Sequence, residues 1–165
     1  MAPKDLRELT LSYYGFDSRA HTGVLVVHES VTSQIGAVFK RLYDGRFPIR
    51  RMVKVDAYGG DDDASMAADN TSAFNCRAAV GSDPPRWSMH AYGKAIDVNP
   101  VENPYVYDGK VEPPNGARYA DRSRNSPGMA KRGGTLVSAF AAYGWEWGGN
   151  WSSSKDYQHF STNGQ

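Results

Sequence analysis

The segment from residue 88 to residue 97, Ser-Met-His-Ala-Tyr-Gly-Lys-Ala-Ile-Asp, constrains this chain more than any other stretch of it. Gly93 permits a sharp bend after His90. Residues 92–98 then alternate as a strand does, which places Asp97 on a face of small side chains. Neutral imidazole nitrogen and carboxylate oxygen are the ligands that zinc takes in catalytic sites. The segment therefore predicts a metal site.

A third protein ligand is expected near the C-terminus, in the run Asp-Tyr-Gln-His-Phe at residues 156–160. His159 follows a carboxylate there, and together with His90 and Asp97 it would leave a fourth zinc position for water. Zinc lowers the pKa of such a water toward about 7. An iron oxygenase also uses two histidines and one carboxylate, but its first histidine and its carboxylate lie closer in sequence than the pair here. Zinc is therefore the predicted metal.

The pattern Ser-x-His-x-x-Gly-x-Ala-x-Asp followed later by Asp-x-x-His resembles that of the zinc D-Ala-D-Ala peptidases and L-alanyl-D-glutamate endopeptidases of bacterial cell-wall metabolism. Residues 70–77 and 144–151 also resemble signatures of this family, in the family's order. The resemblance spans residues 70–160. It implies a Hedgehog/DD-peptidase-like fold, one zinc ion per chain, and a peptidoglycan stem peptide as the substrate.

The resemblance also implies catalytic roles. Asp156 matches the acidic residue that serves this family as general base, and Arg77 resembles the arginine that serves the substrate carbonyl or carboxylate. A fixed cation stabilises the oxyanion where its charge develops. Glu146 is the second candidate for the base, because flanking tryptophans would raise its pKa. The further candidates for substrate binding are Ser88, Glu146, Trp147, Trp151 and Tyr157.

Length and charge narrow the function classes. The 165 residues are expected to form one domain, 1–165, that acts as a monomer. Lys and Arg number 19 against 18 Asp and Glu, and this near-neutral balance argues against a nucleic-acid binder. The single cysteine, Cys76, excludes an intramolecular disulfide and is expected to be buried.

Hydropathy bears on where the protein would act. No run approaches the ~20 apolar residues of a membrane span, and the N-terminus lacks the apolar core of a signal peptide. Wall-directed chemistry nevertheless predicts action outside the membrane, in the extracellular space or the cell wall. Two routes remain open: a secreted enzyme whose leader is absent from this chain, or a phage lysin that passes through a separate membrane pore.

Local patterns predict an α+β domain with a small antiparallel sheet flanked by helices and long irregular loops. Residues 1–20 are interpreted as an N-terminal extension. Residues 99–129 are interpreted as a long loop that forms a rim or lid over the substrate groove, with a disordered insert as the alternative. The acidic run at 61–63 is interpreted as a solvated turn. Strands are predicted at 24–27, 52–57, 74–79 and 159–160, and helices at 31–42 and 136–143, which end at Gly45 and Gly144.

The predicted function is hydrolysis of peptide bonds in peptidoglycan stem peptides, by a zinc metallopeptidase of the D-alanyl-D-alanine carboxypeptidase or L-alanyl-D-glutamate endopeptidase type. Which of the two bonds is cleaved stays open. The alternative is a zinc-containing binding module without catalysis, since the Hedgehog signalling domain resembles this fold and keeps a similar zinc site. A complete set of ligands, acidic base and arginine favours the enzyme.

Overall fold

The computed structural model describes residues 3–79, 84 and 86–165. This part of the chain is α+β, as predicted, but it carries three small antiparallel sheets where the sequence predicts one. The helices are α1 (Thr32–Asp44), α2 (Asp62–Ala67) and α3 (Thr135–Ala141), and the strands are β1 (Leu6–Tyr14), β2 (Ala20–His28), β3 (Ala95–Asp97), β4 (Tyr105–Tyr107), β5 (Lys110–Glu112), β6 (Glu146–Trp147), β7 (Lys155–Asp156) and β8 (His159–Ser161). Short 3-10 helices cover Pro3–Asp5, Glu29–Val31, Val55–Tyr58, Met89–Tyr92, Pro114–Tyr119 and Gly148–Asn150.

The first sheet is the hairpin of β1 and β2, in which Leu6 pairs with His28 and Tyr14 with Ala20. The predicted strand at 24–27 lies inside β2, and its inward side chains Leu25 and Val27 are buried. Residues 1–20 were expected to form an extension, but residues 6–14 are a full partner in this sheet. The first two residues of that range lie outside the described part of the chain.

The predicted helix at 31–42 is confirmed by α1, whose apolar stripe faces β1 and α3. Its buried side chains recur at the 3.6-residue period of a helix. Gly45 follows the helix, and its N–H donates to the Arg41 carbonyl at 3.0 Å. The second predicted helix is confirmed by α3, and Gly144, with φ of 77°, follows it closely. The buried residues of the α1 stripe are Ile35, Val38, Phe39 and Leu42.

The second sheet has the order β3-β8-β6 and pairs Asp97 with His159. Its other face is apolar, because Phe160 pairs with Ile96 and Trp147 across the sheet and stacks on Phe140 at 4.3 Å between ring centroids. The alternation predicted for this region is confirmed, over the shorter strand β3. The sheet therefore separates an apolar core face from a polar face.

The third sheet, with the order β5-β4-β7, lies largely in the range predicted as the loop 99–129. Strand β4 pairs with β5 and with β7, and the second pairing sets Tyr105 opposite Asp156. The Pro114–Tyr119 helix continues the ordered part of this range. The predicted lid, residues 99–129 (the lid segment), is thus joined by backbone pairing to the strand that ends at Asp156.

Two predicted strands are wrong. Residues 52–57 run beside β2 for one hydrogen bond, from Val24 N–H to the Met52 carbonyl, and then enter the Val55–Tyr58 helix. Residues 74–79 form only an isolated bridge, from Ala78 to Trp87. Both stretches pack against neighbours without a continuous strand partner, and a ladder requires one.

Two expectations about individual side chains are also corrected. The acidic run at 61–63 begins α2, and Asp61 caps this helix by accepting from the Ala64 N–H at 3.0 Å. Cys76 is exposed rather than buried. None of the helices in the described part of the chain has the length and apolar character that a membrane span requires.

Candidate metal centre and active site

Three side chains on the polar face of the second sheet converge on one point. The Nε2 atom of His90 lies 3.1 Å from Asp97 Oδ2 and 3.2 Å from Nδ1 of His159, and that Nδ1 lies 3.1 Å from Asp97 Oδ1. All three residues are at least 95% buried. The three residues predicted from sequence as metal ligands are therefore brought together, and they can hold a metal ion.

The outer nitrogens of the two imidazoles show which ring atoms face the site. His90 Nδ1 lies 2.6 Å from the Ala73 carbonyl, and His159 Nε2 lies 3.0 Å from the Gln165 carbonyl. A carbonyl oxygen only accepts, so both outer nitrogens carry the proton and donate it. On neutral rings the inner nitrogens are then lone-pair acceptors beside the Asp97 carboxylate, and on a protonated ring the inner nitrogen donates to that carboxylate.

The two inner nitrogens lie 3.2 Å apart, and each lies 3.1 Å from a different oxygen of Asp97, so the unprotonated rings and the carboxylate repel one another unless a cation lies among them. Tetrahedral zinc with Zn–N and Zn–O bonds of about 2.0–2.1 Å separates its ligand atoms by roughly 3.3 Å. The donor set, its spacing and the outer hydrogen bonds that orient the rings all fit a zinc ion.

Electrostatics inside the cluster keep Asp97 ionised. Burial raises the pKa of Asp97, but the charges and hydrogen bonds of His90 and His159 lower it by a larger amount. The pKa of Asp97 therefore lies below its usual range. Burial lowers the pKa of His159, yet hydrogen bonding to Asp97 and the charges of Asp97 and Asp156 raise it above its ordinary value. The Asp97 carboxylate thus stays ionised, and its negative charge favours a cation beside it.

The local sequence explains how His90 reaches the sheet. Ser88 caps the Met89–Tyr92 helix, and its Oγ accepts from the His90 N–H at 3.2 Å. Gly93 ends that helix with φ of 62°, a left-handed conformation that glycine adopts without strain. A side chain at Gly93 would also lie 2.6 Å from the backbone nitrogen of His28. The bend therefore requires glycine on two counts.

Asp156 ends β7 and lies beside the cluster. Burial and the charge of Asp97 raise the pKa of Asp156 to about 7, against the charges of His159 and Arg77, which lower it. Its Oδ1 atom is buried and has no hydrogen-bond partner among the described residues. A carboxyl with a pKa near neutrality that interacts with the cluster is suited to accept and return a proton.

Gly148 packs against Asp156 and His159 at close range. A Cβ atom at Gly148 would lie 2.6 Å from the Asp156 carbonyl oxygen, 2.9 Å from Asp156 Cβ and 3.3 Å from His159 Cβ. The glycine therefore allows the Gly148–Asn150 helix to approach the segment that carries Asp156 and His159. The sequence analysis did not single out this residue, although the Trp-Gly-Gly run is its signal.

Arg77 is half-buried, and its Nε lies 2.8 Å from Asp62 Oδ2. The other oxygen of Asp62 accepts from Asn75 Nδ2 at 2.9 Å. The charge of Arg77 also reaches Asp156, whose pKa it lowers. The first residue of α2 thus pairs with a cation beside the predicted base, a role for Asp62 that the sequence analysis missed.

Three other residues predicted to contact the substrate lie in different environments. Trp147 is 7% exposed and its Nε1 donates to the Tyr157 carbonyl at 2.8 Å, so it is a packing residue rather than a groove wall. Ser88 is buried as a helix cap, which accounts for it without a substrate. Trp151 is half-buried, and its ring lies 5.5 Å from that of His159. Of these three residues, Trp151 keeps the position expected of a substrate contact.

Glu146 differs from its predicted environment. Its side chain is exposed, on the face of β6 opposite to the buried Trp145 and Trp147. A Cβ atom at Gly164 would lie 2.5 Å from Glu146 Oε2, so the carboxylate rests against the C-terminal segment. The apolar surroundings that would make Glu146 a base are absent at its carboxylate.

Comparison with known proteins gives one match. Residues 82–162 match the family model described as D-alanyl-D-alanine carboxypeptidase. The matched range includes His90, Asp97, Asp156 and His159, whereas Arg77 precedes it. No curated protein and no solved structure matches the chain.

Proposed function

We propose that this chain is a member of the D-alanyl-D-alanine carboxypeptidase family, whose model matches residues 82–162, and that it is a zinc peptidase that hydrolyses peptidoglycan stem peptides. The observation that carries the proposal is the convergence of two buried imidazoles and the Asp97 carboxylate, with a neighbouring carboxyl of raised pKa. A binding module needs the metal ligands but does not need a neighbouring carboxyl of raised pKa.

Zinc held by His90, Asp97 and His159 would lower the pKa of a bound water and polarise the carbonyl of the scissile peptide bond. Asp156 would take the proton of the attacking water and then donate it to the amine of the leaving group. With a pKa near neutrality, this carboxyl would exchange the proton at little free-energy cost in either direction.

Arg77 would act on the negative charge that develops on the substrate carbonyl. Its ion pair with Asp62 holds the guanidinium in place before the substrate arrives, and such preorganised cations need no reorganisation during the reaction. Trp151 beside His159 would contact the peptide near the scissile bond. The lid segment, which pairs with β7, would close the groove.

The bond that is cleaved follows from how the groove ends. A groove closed at one end favours removal of a terminal D-Ala, and an open groove favours cleavage between L-Ala and D-Glu. Either activity would be exerted outside the membrane, where peptidoglycan lies, and a monomer carries the whole predicted catalytic set on one chain.

Digestion of purified peptidoglycan, with and without a chelator, tests the proposal. Mass spectrometry of the soluble products should show loss of D-Ala or new D-Glu N-termini, and the chelator should abolish both. The same protein should contain about one zinc ion per chain by elemental analysis. Stoichiometric zinc without any peptide product would instead establish the binding module of the same fold.

A further inference from the structure

The side chain of Arg122 is half-buried on the lid segment and has no carboxylate within ion-pair distance among residues 3–79, 84 and 86–165. Burial lowers the pKa of Arg122 to about 10. A buried cation without an acidic partner is unfavourable unless other groups solvate it. The contacts of its guanidinium show which groups do so.

The two terminal nitrogens of Arg122 donate to four acceptors. Nη1 donates to the carbonyls of Glu102 at 2.8 Å and Tyr119 at 3.1 Å. Nη2 donates to Asn103 Oδ1 at 3.1 Å and to the Ala130 carbonyl at 2.5 Å. One planar group thus joins the beginning, the middle and the end of the segment between residues 99 and 130.

The face of the same guanidinium rests on Tyr157. Its central carbon lies 4.3 Å from the centre of the Tyr157 ring, within the range of a cation–π interaction. Tyr157 follows Asp156 directly, and the Tyr157 carbonyl accepts from Trp147 Nε1 at 2.8 Å. Tyr157 is therefore held by the core on one side and by Arg122 on the other.

This contact bears on Asp156 because few side chains orient its carboxyl. A side-chain hydrogen bond with Gln158 acts on the carboxyl, but Asp156 Oδ1 has no hydrogen-bond partner in the described part of the chain, so the direction of the carboxyl also depends on the backbone at residues 155–157. That backbone is paired with Tyr105 of the lid segment, and Arg122 holds the lid segment in shape. Arg122 thus contacts Tyr157, which follows Asp156, and also stabilises the segment whose strand β4 pairs with Asp156.

We propose, on the basis of the peptidase function proposed above, that Arg122 is a positioning residue that holds Asp156 in its reactive orientation through Tyr157 and the paired strand β4. Its four terminal N–H groups are used within the protein, which leaves them unavailable to a substrate carboxylate. Lysine cannot replace it, since an ammonium has three donors and no flat face.

The test compares Arg122→Lys with Arg124→Lys. The second variant is a matched control, because Arg124 is an exposed arginine of the same segment, paired with Asp121, and it also loses its guanidinium group. Soluble muropeptides serve as substrate, and rates are normalised to zinc content. Arg122→Lys should lower kcat about 10- to 100-fold, because a misplacement on the order of 1 Å reduces rates by about that factor. Its KM should stay within about threefold of the wild-type value, and Arg124→Lys should behave as wild type.

A double-mutant cycle tests the route through Tyr157. Tyr157→Leu removes the ring under the guanidinium, and the double variant with Arg122→Lys should be no slower than the slower single variant. If the double variant were slower by the product of the two single effects, the route through Tyr157 would be overturned. An unchanged kcat in Arg122→Lys, a rise in KM alone, or a loss of activity in proportion to lost zinc would overturn the positioning role.

Hydrogen exchange gives a readout that does not depend on catalysis. Amides at residues 155–158 should exchange faster in Arg122→Lys than in Arg124→Lys, because their local opening becomes easier. If the wild-type protein released no peptide from peptidoglycan, the proposed function would fail. The exchange comparison would then decide alone whether Arg122 holds this segment, and equal exchange in both variants would refute it.

Discussion

Substitution of Gly148 by alanine should disturb the candidate site through one added methyl group. The new Cβ atom would lie 2.6 Å from the Asp156 carbonyl oxygen, whereas ordinary contact begins at 3.4 Å. The segment that carries Asp156 and His159 must therefore move by about 0.8 Å, or the Gly148–Asn150 helix must retreat by a similar distance. The backbone at Gly148 does not have a positive φ, so the effect would come from contact alone.

The expected magnitudes follow from that displacement. A shift on the order of 1 Å between the base and the reacting atoms lowers kcat about 100-fold. Overpacking of a buried contact destabilises by about 1–3 kcal/mol, which lowers Tm by roughly 2–10 °C in a chain of this length. The loss of activity should thus be far larger than the loss of folded protein at assay temperature.

The assay measures kcat on solubilised muropeptides, zinc content and Tm for Gly148→Ala and for Gly36→Ala. Gly36 lies within α1, and a Cβ atom there would meet nothing within 4 Å. Gly36→Ala should keep wild-type activity and gain about 0.5–1 kcal/mol of stability, because alanine is the better helix former. Wild-type kcat and zinc content in Gly148→Ala would refute the close packing of Gly148 against the base segment.

Three further predictions concern charged groups. Asp156→Ala should abolish peptide release and keep about one zinc per chain, whereas His159→Ala should lose zinc as well by elemental analysis; full turnover in Asp156→Ala would move the base to another residue. Arg77→Ala should lower kcat about 100-fold with little change in Tm. Asp62→Asn should cause part of that loss in the same kinetic assay, because it removes the ion pair with Arg77. A fall in Tm that accounts for the lost rate would show that the pair has a structural role instead. Burial and a hydrogen bond to Asp69 raise the pKa of Glu102 from 4.5 to about 8, so the folded state binds its proton more tightly and wild-type stability should fall as pH rises from about 4.5 to 8. Glu102→Gln should flatten that decline in thermal unfolding across this range, and an equally steep decline would show that Glu102 does not cause it.

The ligand cluster could be predicted from the sequence because its determinants are local. The Gly93 bend and the alternation of β3 direct His90 and Asp97 to one face over only seven positions. Helix α1 was predictable for a similar reason, since its apolar residues follow one period. Such patterns reflect residues that are close in sequence, and the ligand cluster and α1 are both determined mainly by such residues.

The wrong strands show what a local pattern leaves out. Met52 and Val55 are both at least 96% buried, so their apolar character is explained by the core. Alternation over residues 52–57 correctly indicated burial but could not show whether a second strand lies alongside. Hydrogen bonding there goes to β2 once and then to the chain's own Val55–Tyr58 helix.

The groups around Asp156 escaped sequence analysis because they meet only when the chain folds back on itself. Asp62 approaches Arg77, Gly148 approaches Asp156, and Tyr105 pairs with Asp156 across 51 positions of chain. Residues 99–129 have no periodicity because their order comes from Arg122 and from pairing with β7 rather than from a repeated apolar face. Strand β4 of the predicted lid and Asp156 share one sheet, so a displacement of β4 is expected to move Asp156 as well. Substrate selection and proton transfer are thereby expected to change together when this segment is altered.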